Sequence, residues 1–505
     1  MPGPHDPRPL RTTATDRTAG RPTTNALACR CFGHLLRPDG AGAALTLVIL
    51  LAAGCAQYES QPLSAEHAAA DFQSRTLTDP GLRAFIETNL SAALTVGAPP
   101  TWDFTSLTLA AFYYHPDLDV ARAKWATAEA GKTTAAERPN PILSVTPGYN
   151  ATTGIPSPWF VTPTLDLPIE TAGKRGYRLA HAQQLSEAAR LRLATVAWQI
   201  RGRLRQTLVN LYAARATEGL LRQQQITQEQ VLRLLEAQLA AGAVSPFEVR
   251  QARVAFDRSR LALHDAERQR GEAHAQLASA IGIPMSALDS AVLSFAGLSE
   301  PPPALPSPGL RRQALFNRTD ILGALADYAA SEAALRLEIA KQFPDLHLSP
   351  GYEFDQGDHK WSLGLSVTLP VFNQNQGPIA EAEARRAENA AQFNALQARV
   401  LGELDRTTAA YHAALAKAAT AGTLLTNLQK QREAAWARLD AGEISRLEVS
   451  TVELELNQAA LNRVETLATA QQAFGDLESA LQSPVGLTNA LGTISPRTAA
   501  RPKEP

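Results

Sequence analysis

The chain has 505 residues, 45% hydrophobic and 6% aromatic, with 48 Lys+Arg against 49 Asp+Glu and a formal net charge of −1. That length exceeds one ordinary domain, and the balanced charge argues against nucleic acid as a partner. Outside one short stretch no apolar run approaches the roughly 20 residues of a membrane helix, which excludes a polytopic helical membrane protein, and three cysteines (Cys29, Cys31, Cys55) are too few for a disulfide scaffold.

Residues 1–54 read as a signal peptide. Arg8, Arg11, Arg17, Arg21, Arg30 and Arg37 precede the apolar run Ala41–Ala53, which is followed by Gly54 and Cys55. A basic region, a short apolar core and small residues make an export signal, and the run is too short to span a bilayer. The end of the run, Leu51-Ala-Ala-Gly-Cys55, resembles a bacterial lipobox, with Ala52 where Leu is usual. That resemblance implies that Cys55 is acylated and becomes the first mature residue. Ala56, rather than Asp, then permits delivery to the outer membrane. The basic lead is long, so translation is expected to start later than Met1. Residues 55–100 form a mixed, partly helical lead-in.

Beyond residue 100 the chain is written twice. Pro141-Ile-Leu-Ser-Val-Thr-Pro-Gly-Tyr149 matches Pro344-Asp-Leu-His-Leu-Ser-Pro-Gly-Tyr352. Leu165-Asp-Leu-Pro-Ile169 matches Val367-Thr-Leu-Pro-Val371, and Ala241–Val249 matches Ala441–Val449. The offset stays near 200 throughout, which marks an internal repeat. The first copy covers 101–300 and the second 310–484. A Pro-rich linker, 301–309, separates them, and 485–505 reads as a loose tail. Each copy reads helix, two strands, long helix, turn, helix.

The strands are the sharpest local signal. Trp159, Val161, Pro163, Leu165, Leu167 and Ile169 alternate with Phe160, Thr162, Thr164, Asp166 and Pro168; Trp361 to Val371 repeats the pattern. Each strand has a partner upstream, near Ile142–Tyr149 and Leu346–Phe354, joined through short polar connections at 150–158 and 355–360. Eleven residues of period 2 are the length of a transmembrane β-strand, and Trp159 and Trp361 suit a membrane interface. A half-buried soluble sheet carries the same alternation; the export signal favours the membrane. Four strands cannot close a barrel, which needs about eight or more, and an open edge in lipid leaves backbone groups unpaired. Strands that span must therefore share a barrel with those of other copies.

The long helices follow. From Tyr177 to Ala240 no proline intervenes, and Leu193, Ala197, Ile200, Leu204, Leu211, Ala214 and Leu221 form an a/d-like seam. Leu396, Val400, Leu404, Thr407, Tyr411, Leu415 and Ala418 repeat it. Gly242 and Gly442 then fit left-handed helix ends. Ser245 and Ser445 fit N-caps, with Glu248 and Glu448 completing Ser-x-x-Glu capping boxes and Val244/Val249 and Ile444/Val449 forming hydrophobic staples.

The lipobox, the duplication, the strand pairs, the very long helices and these turns together resemble the TolC family of outer-membrane efflux ducts, over roughly residues 100–485. Lipidation and the charged helices resemble its heavy-metal-exporter branch. The resemblance implies a mainly α fold in which internally duplicated coiled-coil helices form an α-barrel. Four strands per chain would join a shared twelve-stranded β-barrel in a homotrimer. It implies that the turns around Gly242, Ser245, Glu248, Gly442, Ser445 and Glu448 are periplasmic tips. These would meet a periplasmic adaptor coupled to an inner-membrane efflux pump, while outer-membrane lipid surrounds the barrel. In the family a ring of carboxylates narrows the closed mouth. Its first position falls on Glu448; its second falls on Thr451, a departure. Asp440 is a further gate candidate.

Nothing in the sequence promises catalysis or a cofactor. There is no Walker A loop, no Gly-x-Ser-x-Gly elbow and no His-Glu-x-x-His motif. Asp355, Asp358 and His359 share a predicted hairpin tip and read as a solvated loop; His264 and His274 read as surface or packing residues. The expectation is therefore a passive duct rather than an enzyme. The rivals are a periplasmic adaptor, which should carry one hairpin rather than two, and a structural envelope coiled coil without a pore.

Overall fold

The computed structural model describes residues 58–90, 101–152, 154, 157–303 and 309–484. The export signal, Cys55, most of the Pro-rich linker and the tail lie outside the described residues. The lead-in contributes α1 (Ala65–Ser74) and α2 (Pro80–Leu90). The first copy runs β1 (Thr101–Trp102), α3 (Phe104–Tyr114), α4 (Pro116–Ala136), β2 (Ile142–Tyr149), β3 (Trp159–Ile169), α5 (Lys174–Ala240), α6 (Pro246–Ile281), α7 (Met285–Asp289) and β4 (Val292–Leu293). The second runs α8 (Leu310–Asn317), α9 (Thr319–Ala340), β5 (Leu346–Asp355), β6 (Asp358–Val367), α10 (Gln376–Asp440) and α11 (Arg446–Leu481). Among the described residues no helix is long and apolar enough to cross a membrane.

The lead helices of the two copies start differently, locally in the first and, in the second, on Gln482, whose Oε1 accepts from Thr319 N at 2.8 Å. In the first, α4 begins at Pro116, and the buried His115 caps it: Asp117 N donates to His115 Nδ1 at 3.2 Å. Burial pushes this imidazole below its ordinary value, which keeps it neutral and able to accept. The helix before it, α3, starts at a capping box between Asp103 and Ser106. The one lead helix expected of the first copy is thus two, α3 and α4, and β1 and β4 are elements the sequence pattern does not announce. These two short strands pair in parallel, Thr101 with Val292 and Trp102 with Leu293, and so bracket the first copy.

The 67-residue α5 is about 100 Å long at 1.5 Å per residue. No single partner matches it. Its half nearer the strands packs on α4 and α9, and its distal half on α6 and α11. The 65-residue α10 does the same with α9 and α11. Of the seam predicted from spacing, Leu193, Ala197, Ile200, Leu204 and Leu211 in one copy and Val400, Leu404, Thr407, Tyr411 and Ala418 in the other are buried, while Ala214, Leu221, Leu396 and Leu415 are half-buried. Two cores thicken the bundle where α6 and α11 end. One holds Leu204, Leu211, Leu277 and Ile281; the other holds Leu404, Tyr411, Leu477 and Leu481 at the same positions 200 residues on.

Between these cores α5 crosses α11 over a buried ion cluster. Glu478 accepts from Arg201 Nη1 and Arg205 Nη1, each at 3.2 Å, and both Arg201 and Glu478 are almost fully buried. Gln471 accepts from Arg205 and donates to the carbonyls of Gly297 and Glu300 at 2.9 and 2.7 Å, tying the stretch between the copies to α11. Phe104 lies under both guanidinium groups. Burial lowers the Arg205 pKa from its ordinary value while Glu478 raises it.

Removing one partner of a buried pair leaves an uncompensated charge. Glu478→Ala should therefore lower stability by about 3–5 kcal/mol, read as a fall in the denaturant midpoint in detergent; a change under about 1 kcal/mol would show that the cluster does not hold the two copies together.

Candidate functional site

The four long strands form one antiparallel sheet in the order β2-β3-β5-β6, so the two copies meet at β3–β5. The register puts Tyr149 opposite Trp159, Val145 opposite Pro163, Tyr352 opposite Trp361 and Leu348 opposite Leu365. Because side chains alternate across a sheet, one face is apolar. Leu143, Val145, Tyr149, Trp159, Val161, Trp361, Leu363 and Leu365 stand on it exposed, Trp361 at 81%. Trp159 packs edge-on against Tyr149 with ring centroids 5.0 Å apart, and Trp361 lies 4.9 Å from Tyr352. Trp159 thus opens β3 and Trp361 lies inside β6, each braced by a tyrosine.

The other face is polar and connected. His347 Nδ1 lies 2.9 Å from Asp166 Oδ2, and Ser349 donates to the other oxygen of Asp166 at 3.2 Å. Lys360 reaches Asp355 at 2.9 Å and Glu353 at 3.4 Å. Of these residues only Asp355 has a place expected from sequence, in a solvated hairpin tip, although the polar phase of the alternation already puts Asp166 on this face. The second hairpin is tighter than the 355–360 connection expected. Asp355 pairs with Asp358 across Gln356 and Gly357, whose φ values of 53° and 95° make a primed turn matching the strand twist. At its other end β6 stops at Val367, short of Val371, opposite Leu346, the first residue of β5. Asp358 and His359 then fall on opposite faces, and among the described residues no group of three or more His, Cys, Asp or Glu could hold a metal.

Where the strands return to helix, Lys174 Nζ bonds Asp345 at 2.7 Å, and Thr171 bonds both Asp345 and the Pro344 carbonyl. The sheet is therefore anchored to the helices at the junction of both copies.

At the far end the two turns are near-duplicates. Gly242 and Gly442 share φ 75°. Ala243 N donates to Gln238 O and Glu443 N to Arg438 O, each at 2.9 Å, while Gly242 and Gly442 donate to Leu239 and Leu439. These are the paired bonds of a Schellman end. Ser245 and Ser445 cap α6 and α11, and both boxes close: Ser245 N donates to Glu248 Oε2 at 2.9 Å and Ser445 N to Glu448 Oε1 at 3.3 Å. Glu448 is thus a capping residue in this chain. Val449 is fully buried beneath it, the foot of the predicted staple. Asp440, the last residue of α10, is exposed where a negative charge opposes the helix dipole. Side chains separate the tips. The first presents Pro246 and an exposed Phe247, with Arg253 bridging to Glu236. The second presents Glu443 paired with Arg438 at 3.2 Å, and Arg446 lying 4.2 Å over the Trp436 ring.

The family described as outer membrane efflux protein matches this chain twice, over residues 111–283 and 310–482, the two copies. The cobalt-zinc-cadmium resistance protein CzcC of Cupriavidus metallidurans is 26% identical over 328 residues, 63% of this chain and 76% of that one. Among solved structures, CusC superposes with a TM-score of 0.62 at 20% identity, over 77% of this chain and 96% of that one. The CmeC outer membrane channel of Campylobacter jejuni gives 0.63 at 16% identity, over 89% and 97%.

Both tips depend on a serine cap. Ser245→Ala and Ser445→Ala should each cost about 1 kcal/mol locally, seen as faster amide exchange confined to the first turn of α6 or α11. Unchanged exchange would mean that the Schellman ends alone hold the tips.

Proposed function

The chain belongs to the outer membrane efflux protein family, and from that premise we propose that it is the passive outer-membrane duct of a three-component efflux system, assembled from three copies. One observation carries this reading: a four-stranded sheet with an exposed apolar face, a polar opposite face and two open edges, β2 and β6. In lipid each unpaired edge group costs several kcal/mol. Three such sheets joined edge to edge give twelve strands and no edge. The polar face with Asp166, His347, Glu353 and Lys360 then lines the water-filled lumen, and Trp159 and Trp361 sit at the interface.

Below the sheet, α5 and α10 carry the conduit across the periplasm to the tips, where a periplasmic adaptor and an inner-membrane pump engage. The work of export belongs to the pump; this chain contributes a path and a closable mouth. Cargo choice also belongs to the pump, and the similarity to CzcC, a cobalt-zinc-cadmium resistance protein, supports a place in the metal-exporting branch. The second-copy tip supplies the mouth, with Glu448 and Asp440 as its carboxylates. Cys55, acylated after signal removal, anchors the chain in the outer membrane of a Gram-negative cell.

Reconstituted into planar bilayers, the protein should form low-conductance channels that open when the mouth is loosened. Capping and gating by Glu448 separate through two substitutions. Glu448→Gln keeps a capping acceptor and removes the charge, whereas Glu448→Ala removes both. Equal gains in conductance from both variants identify a charge gate; a gain from Ala alone identifies the cap; a purified trimer that never conducts under any of these conditions overturns the duct. For the anchor, Cys55→Ser should abolish incorporation of radiolabelled palmitate, and persistent labelling would remove Cys55 from that role.

A further inference from the structure

Inside each chain the helices α6, α5, α11 and α10 stand side by side in that order, with α6 and α10 at the two ends of the row. The middle contact, α5 on α11, is unusually close. A Cβ built on Gly202 would lie 2.7 Å from Ser479 Oγ, and one on Gly475 would lie 2.8 Å from Arg205 Cδ. A Cβ at Gly202 would require Ser479 Oγ to turn away and would lie 3.8 Å from Ser479 Cβ.

The duplication repeats both halves of this contact on the two free ends. Two hundred residues from Gly202 lies Gly402, on α10; two hundred before Ser479 lies Ser279, on α6. The flanking residues keep step, Leu204 with Leu404, Thr207 with Thr407, Leu277 with Leu477 and Pro284 with Pro484. Within one chain the duplicate pair is unused: a Cβ on Gly402 would meet nothing within 4 Å, and Gly402 and Ser279 are both exposed. The ion cluster is not repeated. Leu401 stands where Arg201 does, Ala278 where Glu478 does, and Asp405, paired with Arg311 at the surface of its own chain, where Arg205 does. A crossing that must desolvate when separate chains meet is cheaper without buried charge.

We infer that α10 of one copy crosses α6 of the next at Gly402 and Ser279, in the register in which α5 crosses α11 at Gly202 and Ser479 within the chain. The occupant of both free faces is a second copy of this protein. The inference rests on the proposed oligomeric duct and adds what that reading lacks, the residues and the register at which neighbouring chains lock. Gly402, which has no task inside its own chain, is kept small for a neighbour.

The test uses the full chain in detergent. A disulfide forms only when the two Cα atoms come within about 7 Å. Gly402→Cys combined with Ser279→Cys should, on oxidation, move most of the protein to the masses of two and three linked chains. Gly202→Cys with Ser479→Cys should close within one chain and leave the mass unchanged. In a second arm, Gly402→Phe should leave the helical circular dichroism of the chain intact, since nothing surrounds that site in the single chain, and should abolish the oligomer. Absent cross-linking, or a surviving oligomer in Gly402→Phe, in material whose wild-type form is trimeric by light scattering overturns this register alone and leaves the duct standing. Material that is monomeric throughout overturns both.

Discussion

A backbone amide at the edge of a sheet in lipid has no water to turn to, and much of this molecule answers to that constraint. Four strands make a ribbon whose outer face is fit for hydrocarbon and whose two edges are not. Twist and closure cannot satisfy those edges within one chain, since barrels this small do not occur in bilayers. In the proposed duct the need for identical neighbours is therefore set in the smallest part of the structure. The long helices inherit it: once the sheets are arranged around an axis, the helices continuing from β3 and β6 must run alongside those of the next copy.

The duplication explains how one chain can serve such a ring. Each copy supplies one strand pair, one long helix and two shorter helices laid end to end along it, so a single chain already contains one copy-to-copy joint. That joint is where the charged residues are buried. Arg201, Arg205 and Glu478 are costly to desolvate, but they meet within a chain, where the partners are tethered and form as the chain folds. Of the matching positions, Leu401 and Ala278 carry no charge, and Asp405 is paired with Arg311 at the surface. In the proposed oligomer the two crossings then differ in chemistry according to whether covalent connection brings them together.

Much of this is legible in the sequence itself. Strand bounds at Ile142–Tyr149 and Trp159–Ile169 followed from period-2 alternation, and the tips followed from the Gly-x-x-Ser-x-x-Glu-Val spacing, because each rests on local stereochemistry that neighbours do not override. What escaped was non-local or unusual. β1 and β4 are two residues each, below any periodic signal, and they pair across nearly two hundred residues. The Gln356-Gly357 turn puts a glutamine at φ 53°, where Asn or Asp is the familiar cue. The Arg201–Glu478 cluster was invisible because its members are 277 residues apart and look, in sequence, like two ordinary charges on solvated helices.

The tips show the limit of reading function from a conserved shape within the chain. Both use the same glycine angle, the same serine cap and the same glutamate, so geometry alone makes them interchangeable. Their side chains do not. The first offers Phe247 to solvent beside an uncharged loop, while the second folds Trp436 and Arg446 together and adds Glu443 and Asp440 at its edge. A glutamate bound into a capping box has part of its charge already committed to a backbone N–H, whereas Asp440 stands free of that cap at a helix end that disfavours it. If a ring of negative charge closes the mouth, the residue held there against its own helix dipole is the one whose placement local stability does not explain. Glu448 would stand in its place even in a protein with no mouth to close.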